Sequence, residues 1–134
     1  MGTIFESECR LMLIITNNPT IKENVIDKEV LTLDTDYIGT LKKCRDLVHE
    51  GYELLSHPLY GSVKPNETPY RTVILKKGKF LDVNSLNLIE DAIETAEKFK
   101  NNKATPLWTE RVLDDFRVID FDIIRNTIQR MQYV

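Results

Sequence analysis

The chain has little of what marks the specialised protein classes. Its two cysteines, Cys9 and Cys44, stand in neither C-x-x-C nor C-x-x-H spacing, which excludes a zinc knuckle and a dithiol redox centre. His49 and His57 are its two histidines, and neither has a metal-ligand set around it, so no metal is expected. The net charge of −3, from 18 basic and 21 acidic residues, gives no field to hold a polyanion, so no nucleic acid is expected. Apolar runs fall short of the roughly 18 residues that span a bilayer. Met1 to Ser7 lacks a basic region followed by a long apolar stretch, so a cytoplasmic protein with no membrane contact is expected. The phosphate-loop pattern G-x-x-x-x-G-K, the dinucleotide pattern G-x-G-x-x-G and the hydrolase pattern G-x-S-x-G are all missing. Nucleotide, dinucleotide and serine-hydrolase readings lose their support with them, and no cofactor is expected.

What is there reads as one α/β domain over 1–134, with a composition near globular averages: 42% hydrophobic and 29% charged. Arg10 to Thr16 is almost continuously apolar, as in a strand covered on both faces. Asn17-Asn18-Pro19 stops it, with Asn18 able to cap a short helix to about Val25 and Pro19 suited to its first position. Glu29 to Thr32 or Leu33 is a second strand. Asp34-Thr35-Asp36 then caps a helix in which Tyr37, Leu41, Cys44 and Val48 form one stripe, widened by Ile38 and Leu47 and stopped by Gly51. Cys44 on that stripe reads as a buried thiol, with no disulfide to Cys9.

Tyr52 to Ser56 and Tyr70 to Lys76 are a third and fourth strand. The connection between them is too short and too rich in proline for a crossover helix, so the fourth strand is expected antiparallel to the third. Asn84 or Ser85 is expected to cap a helix carrying Leu86, Ile89, Ile93 and Ala96, with Glu90, Glu94, Glu97 and Lys98 on its solvated face, ending at Asn101-Asn102-Lys103. A further helix from about Pro106 carries Leu107, Val112, Leu113 and Phe116, begins with Trp108, and is followed by a last one with Phe121, Ile124, Ile128 and Met131. The fold expected is three-layer α/β: a mixed four-stranded sheet, mainly parallel with an antiparallel fourth strand, helices on both faces, and a helical C-terminal third.

Right-handed crossovers bring the carboxyl ends of the first three strands to one edge, where ligands bind in open α/β sheets. Asn17 and Asn18 leave the first strand there and His57 leaves the third; in strand order 2-1-3-4 their loops are neighbours. The segment His57 to Tyr70 is stiffened by Pro58, Pro65 and Pro69, while Gly61 permits close approach. Ser62 and Lys64 suit an anion, His57 and Glu67 suit proton exchange, and Asn66 suits an oxygen of a carbonyl or phosphate. Each residue alone also has an ordinary reading: His57 as a strand-end hydrogen-bonding group, Gly61 and Asn66 as turn residues, Lys64 as a solvated charge. Their concentration in one restrained loop makes the segment a candidate ligand site. The sharpest expectation is an anion held between the N–H groups opening the Asn18-Pro19 helix and Lys64.

Thr16-Asn17-Asn18-Pro19 and the run His57 to Tyr70, together with Leu86 to Phe99 and Asp120 to Asn126, resemble the GrdX family over nearly the whole chain. These small proteins accompany glycine, sarcosine or betaine reductase components in amino-acid-fermenting anaerobes. The resemblance implies a partner or accessory role in reductive deamination and supplies no catalytic residues. With the loop residues it makes the leading reading an accessory protein that binds a small anionic ligand, or a reductase component, through Asn17, Asn18 and the His57 to Pro69 loop. The competing reading is a small enzyme acting on a carboxylate or acyl phosphate, with His57 as acid or base, Lys64 stabilising charge and Ser62 or Asn66 donating hydrogen bonds.

Overall fold

Met12 to Thr16 is buried at every position, the outcome its unbroken apolar run demands. The computed structural model describes residues 12–60 and 67–132. Chain order is β1 (Met12–Thr16), α1 (Thr20–Asn24), β2 (Glu29–Thr32), α2 (Tyr37–His49), β3 (Glu53–Leu54), β4 (Thr72–Lys76), α3 (Val83–Asn102) and α4 (Glu110–Gln132). The sheet is four-stranded in the order β2-β1-β4-β3, with β1 parallel to β2 and β4 antiparallel to both β1 and β3. Three strands therefore run one way and β4 runs against them, as expected.

Strand order is where the structure departs from 2-1-3-4: β4, not β3, lies beside β1. The reason is burial. Val73, Ile74 and Leu75 are apolar on both faces and fully buried, which only a central strand allows, whereas β3 is two residues long with Glu53 exposed. Beyond Leu54, the N–H groups of Leu55 and Ser56 both point to the Ile74 carbonyl, at 2.8 and 3.3 Å, a bulge that ends the ladder. Ser56 Oγ then accepts from Ile74 N at 2.8 Å.

Alternation along the central strands builds two cores. Leu13, Ile15, Val73 and Leu75 pack against α2 and α3, while Ile14 and Ile74 meet Ile21 of α1 and Ile124 and Ile128 of α4. Asp36 caps α2 by accepting from Gly39 N at 2.7 Å. Gly51 closes α2 at φ 107°, with Gly51 N on the Val48 carbonyl and Tyr52 N on the Leu47 carbonyl, a paired arrangement that needs a left-handed residue.

Two helix expectations are corrected. Asp82, ahead of Asn84 and Ser85, caps α3, because its carboxylate accepts from both the amide and the hydroxyl of Ser85. The two expected C-terminal helices are one. No glycine or proline interrupts 110–132, and Leu113, Arg117, Asp120, Ile124 and Ile128 keep one face in register throughout. Leu107 is fully exposed and anchors no turn, so Trp108 lies in the preceding segment, tilted on Phe116 at 5.7 Å.

Cys44 is free and buried, and burial pushes its thiol from 9.0 up to about 12; Cys9 lies outside the described residues. The fold therefore favours the protonated thiol. Stability from this group is intact below pH 9 and is lost as pH rises from there toward 12. Iodoacetamide at pH 8, read by peptide mapping, is expected to label Cys44 only after urea unfolding.

Candidate functional site

The carboxyl ends of β1 and β2 open onto a cleft of about 540 Å³. Asn17, Leu33, Asp34, Thr35 and Tyr37 line one side, and Pro69, Tyr70, Ala96, Lys100, Ala104 and Thr105 the other. It lies at the sheet edge where the topology places ligands. At its rim Lys100 Nζ sits 3.2 Å from the Asp36 carboxylate. Burial alone would raise the Asp36 carboxyl, but the Gly39 amide and Lys100 together hold it below its ordinary value.

Asn17 is a cross-link as well as a lining residue. Its Nδ2 donates to the carbonyls of Thr35 at 3.0 Å and Pro69 at 2.8 Å, and its Oδ1 accepts from Arg71 N at 2.8 Å. It thus ties its own segment to two others that line the cleft, the one around Thr35 and the one from Pro69 to Arg71.

Asn18 is fully buried and its amide is saturated. Nδ2 donates to the Arg117 carbonyl and to Asp120 Oδ2, both at 3.0 Å, while Oδ1 accepts from the amide and hydroxyl of Thr20. Thr20 N and Ile21 N of the five-residue α1 are thereby satisfied by Asn18 itself.

Asp120 is the acceptor on which a buried network converges. Thr72 Oγ1 donates to it at 2.6 Å, Tyr60 OH at 3.2 Å and Asn18 Nδ2 at 3.0 Å. Because Thr72 spends its proton on Asp120, the 2.7 Å contact between the two threonine hydroxyls has Thr16 as donor; Thr16 in turn accepts from Asn18 N. The hydroxyls of β1 and β4 are thus aligned toward one carboxylate on α4, each polarising the next.

Beside this network the guanidinium of Arg71, 3% exposed, lies between two tyrosine rings, 4.4 Å from that of Tyr60 and 4.9 Å from that of Tyr37. Its Nη1 donates to the Tyr60 carbonyl at 2.9 Å. Arg71 Nε and the Tyr37 hydroxyl are buried without a hydrogen-bond partner among the described residues. Burial, with the nearby Asp120 charge adding to it, pushes the Tyr60 hydroxyl well up; burial also raises that of Tyr37. Both remain protonated donors at neutral pH. On the outer side, Arg117 donates to Tyr70 OH at 2.8 Å and pairs with Glu110, fixing the Tyr70 ring at the cleft wall.

His57 is exposed, and its Nδ1 accepts from Leu59 N at 3.0 Å, holding a turn outside the cleft lining. The Glu67 carbonyl accepts from Trp108 Nε1 at 2.7 Å. Gly61, Ser62, Lys64 and Asn66 lie outside the described residues. The structure thus brings Asn17 to the cleft and Asn18 to the network beneath it, with β4 standing between β1 and the strand that His57 leaves. Sequence reasoning passed over Asp120, Arg71, Tyr37 and Tyr60. One signal was legible: Asp120 occupies an apolar-stripe position of α4, where a carboxylate must find donors.

The GrdX-like protein family model matches residues 13–129. The chain belongs to the GrdX-like family. That span takes in all four strands but for Met12, the cleft and every member of the Asp120 network. No curated protein and no solved structure gives a significant match. Among the described residues no helix is long and apolar enough to cross a membrane, and no three His, Cys, Asp or Glu side chains are grouped to hold a metal ion.

Proposed function

We propose that this GrdX-like chain is an accessory protein of the glycine, sarcosine or betaine reductase context, and that it takes a small anionic ligand in the strand-end cleft. The observation that carries the reading is the cleft itself. It has the volume of a small-molecule site, lies at the carboxyl ends of β1 and β2, and is lined by Asn17, whose three hydrogen bonds join the Thr35 and Pro69 sides before any ligand arrives. His57 stands on an exposed turn away from this lining, so the enzyme alternative loses the acid or base it named.

Calorimetry with a panel of small carboxylates and acyl phosphates tests it. Saturable one-to-one binding without consumption of the ligand is expected. Ala104→Trp, which fills the cleft from an exposed loop position, is expected to weaken binding at least tenfold while circular dichroism stays native. Turnover of a panel member would transfer the reading to the enzyme alternative. Failure of every member to bind would leave the docking of a reductase component as the better account.

A further inference from the structure

Among the described residues one cation lines the cleft, Lys100. It stands in the last turn of α3, four residues after Ala96, so the two share a helix face, with Ala96 buried and the Lys100 side chain half-exposed at the rim. Its Nζ donates to Asp36 Oδ2 at 3.2 Å, which takes one of the three hydrogens an ammonium can offer. Asp36 has a second duty, since its Oδ1 caps α2 through Gly39 N. Both partners of the ion pair are exposed, and such a pair exchanges one of its members at little cost.

The rest of the lining restricts what Lys100 can hold. Leu33, Ile38 and Ala96 give the cleft apolar surface, which suits the hydrocarbon part of a ligand. Asp34 and Asp36 set two carboxylates against the one ammonium. A ligand with a single negative charge answers Lys100, whereas a second charge meets the acidic excess and is repelled.

We infer that the cleft takes a small monocarboxylate with a hydrocarbon tail, and that Lys100 is the residue that binds its carboxylate, with Asp36 competing for the same ammonium. This rests on the cleft reading above and specifies it. Asp36 is then a selectivity residue: it holds Lys100 at the rim until a carboxylate takes its place, and it turns away dianions. The competition gives the pair opposite signs. Loss of the Lys100 charge weakens binding, and loss of the Asp36 charge strengthens it.

Calorimetric titration of the full chain with acetate, butyrate, hexanoate and succinate at neutral pH tests the inference, each variant being checked for native circular dichroism. Affinity is expected to rise from acetate to hexanoate, and succinate, with the carbon count of butyrate and one more charge, is expected to bind more weakly than butyrate. Lys100→Met is expected to weaken butyrate about tenfold, as the loss of a charge-assisted hydrogen bond does, and Lys100→Arg to retain it. Asp36→Asn, which leaves a capping residue at the start of α2, is expected to tighten butyrate about threefold and to narrow the gap to succinate. Butyrate binding that Ala104→Trp weakens and Lys100→Met leaves unchanged overturns the inference and leaves the cleft reading standing. So does succinate binding more tightly than butyrate. Weaker binding in both Lys100→Met and Asp36→Asn gives the ion pair a merely structural role and overturns the inference as well. Binding that Ala104→Trp leaves untouched overturns both readings. No binding of any of these probes overturns the inference, and the cleft reading falls with it if acyl phosphates also fail to bind.

Discussion

Asp120→Ala is expected to cost about 3 to 5 kcal/mol of folding stability, the largest effect of any polar substitution in this chain. Three donors lose their acceptor at once, and Arg71 loses a negative charge that borders the same small pocket. The donors come from β1–α1, β4 and the turn after β3, so the loss is spread over every segment that α4 holds down. Asp120→Asn is expected to cost only about 1 kcal/mol, because the amide oxygen can still serve Asn18 and Thr72 while the Tyr60 hydroxyl reverses to accept from the amide nitrogen. Urea denaturation of the two variants reads the difference. An alanine variant within about 1 kcal/mol of the parent would mean that water reaches the network and serves its donors.

Ile74→Ala is expected to cost about 2 to 5 kcal/mol. Ile74 is fully buried, pairs across from Ile14 in the central register, and fills the core beneath α1 and α4. Leu31→Ala, on the outer strand β2 and 39% exposed, is expected to cost about 1 kcal/mol or less. The pair of measurements bears directly on strand order, since a β4 lying at the sheet edge would bring the two costs close together.

The sequence made the layers legible because each element declares itself locally. An unbroken apolar run means a doubly covered strand, as β1 is, and i, i+4 spacing from Tyr37 to Val48 means a helix with one buried face. The short, proline-rich connection before Tyr70 was enough to reverse β4. Strand order was not legible, because it depends on which strand has cover on both faces. Thr72 and Lys76 gave β4 the alternating look of a half-exposed strand, whereas Thr72 is in fact buried through its bond to Asp120. The same long-range pairing hid the polar network. Asn17 and Asn18 stood out as turn residues, but the partners that make them cross-links are 18 to 102 residues away, and no local pattern in Arg71 announces it.

The central seam of the sheet also governs how the chain can fold. β1 and β4 join through residues 56 apart, Thr16 and Thr72, and everything between them, α1, β2, α2 and β3, is a loop that this pairing must close. β1 with β2 and β3 with β4 are the nearer-neighbour pairs, so two half-sheets form around local connections and meet only at the seam. Non-local pairing of that kind is slow to nucleate and fast to repay once made. Loss of the Ile74 side chain should therefore appear in stopped-flow as slower refolding more than as faster unfolding, with the seam already formed at the top of the barrier.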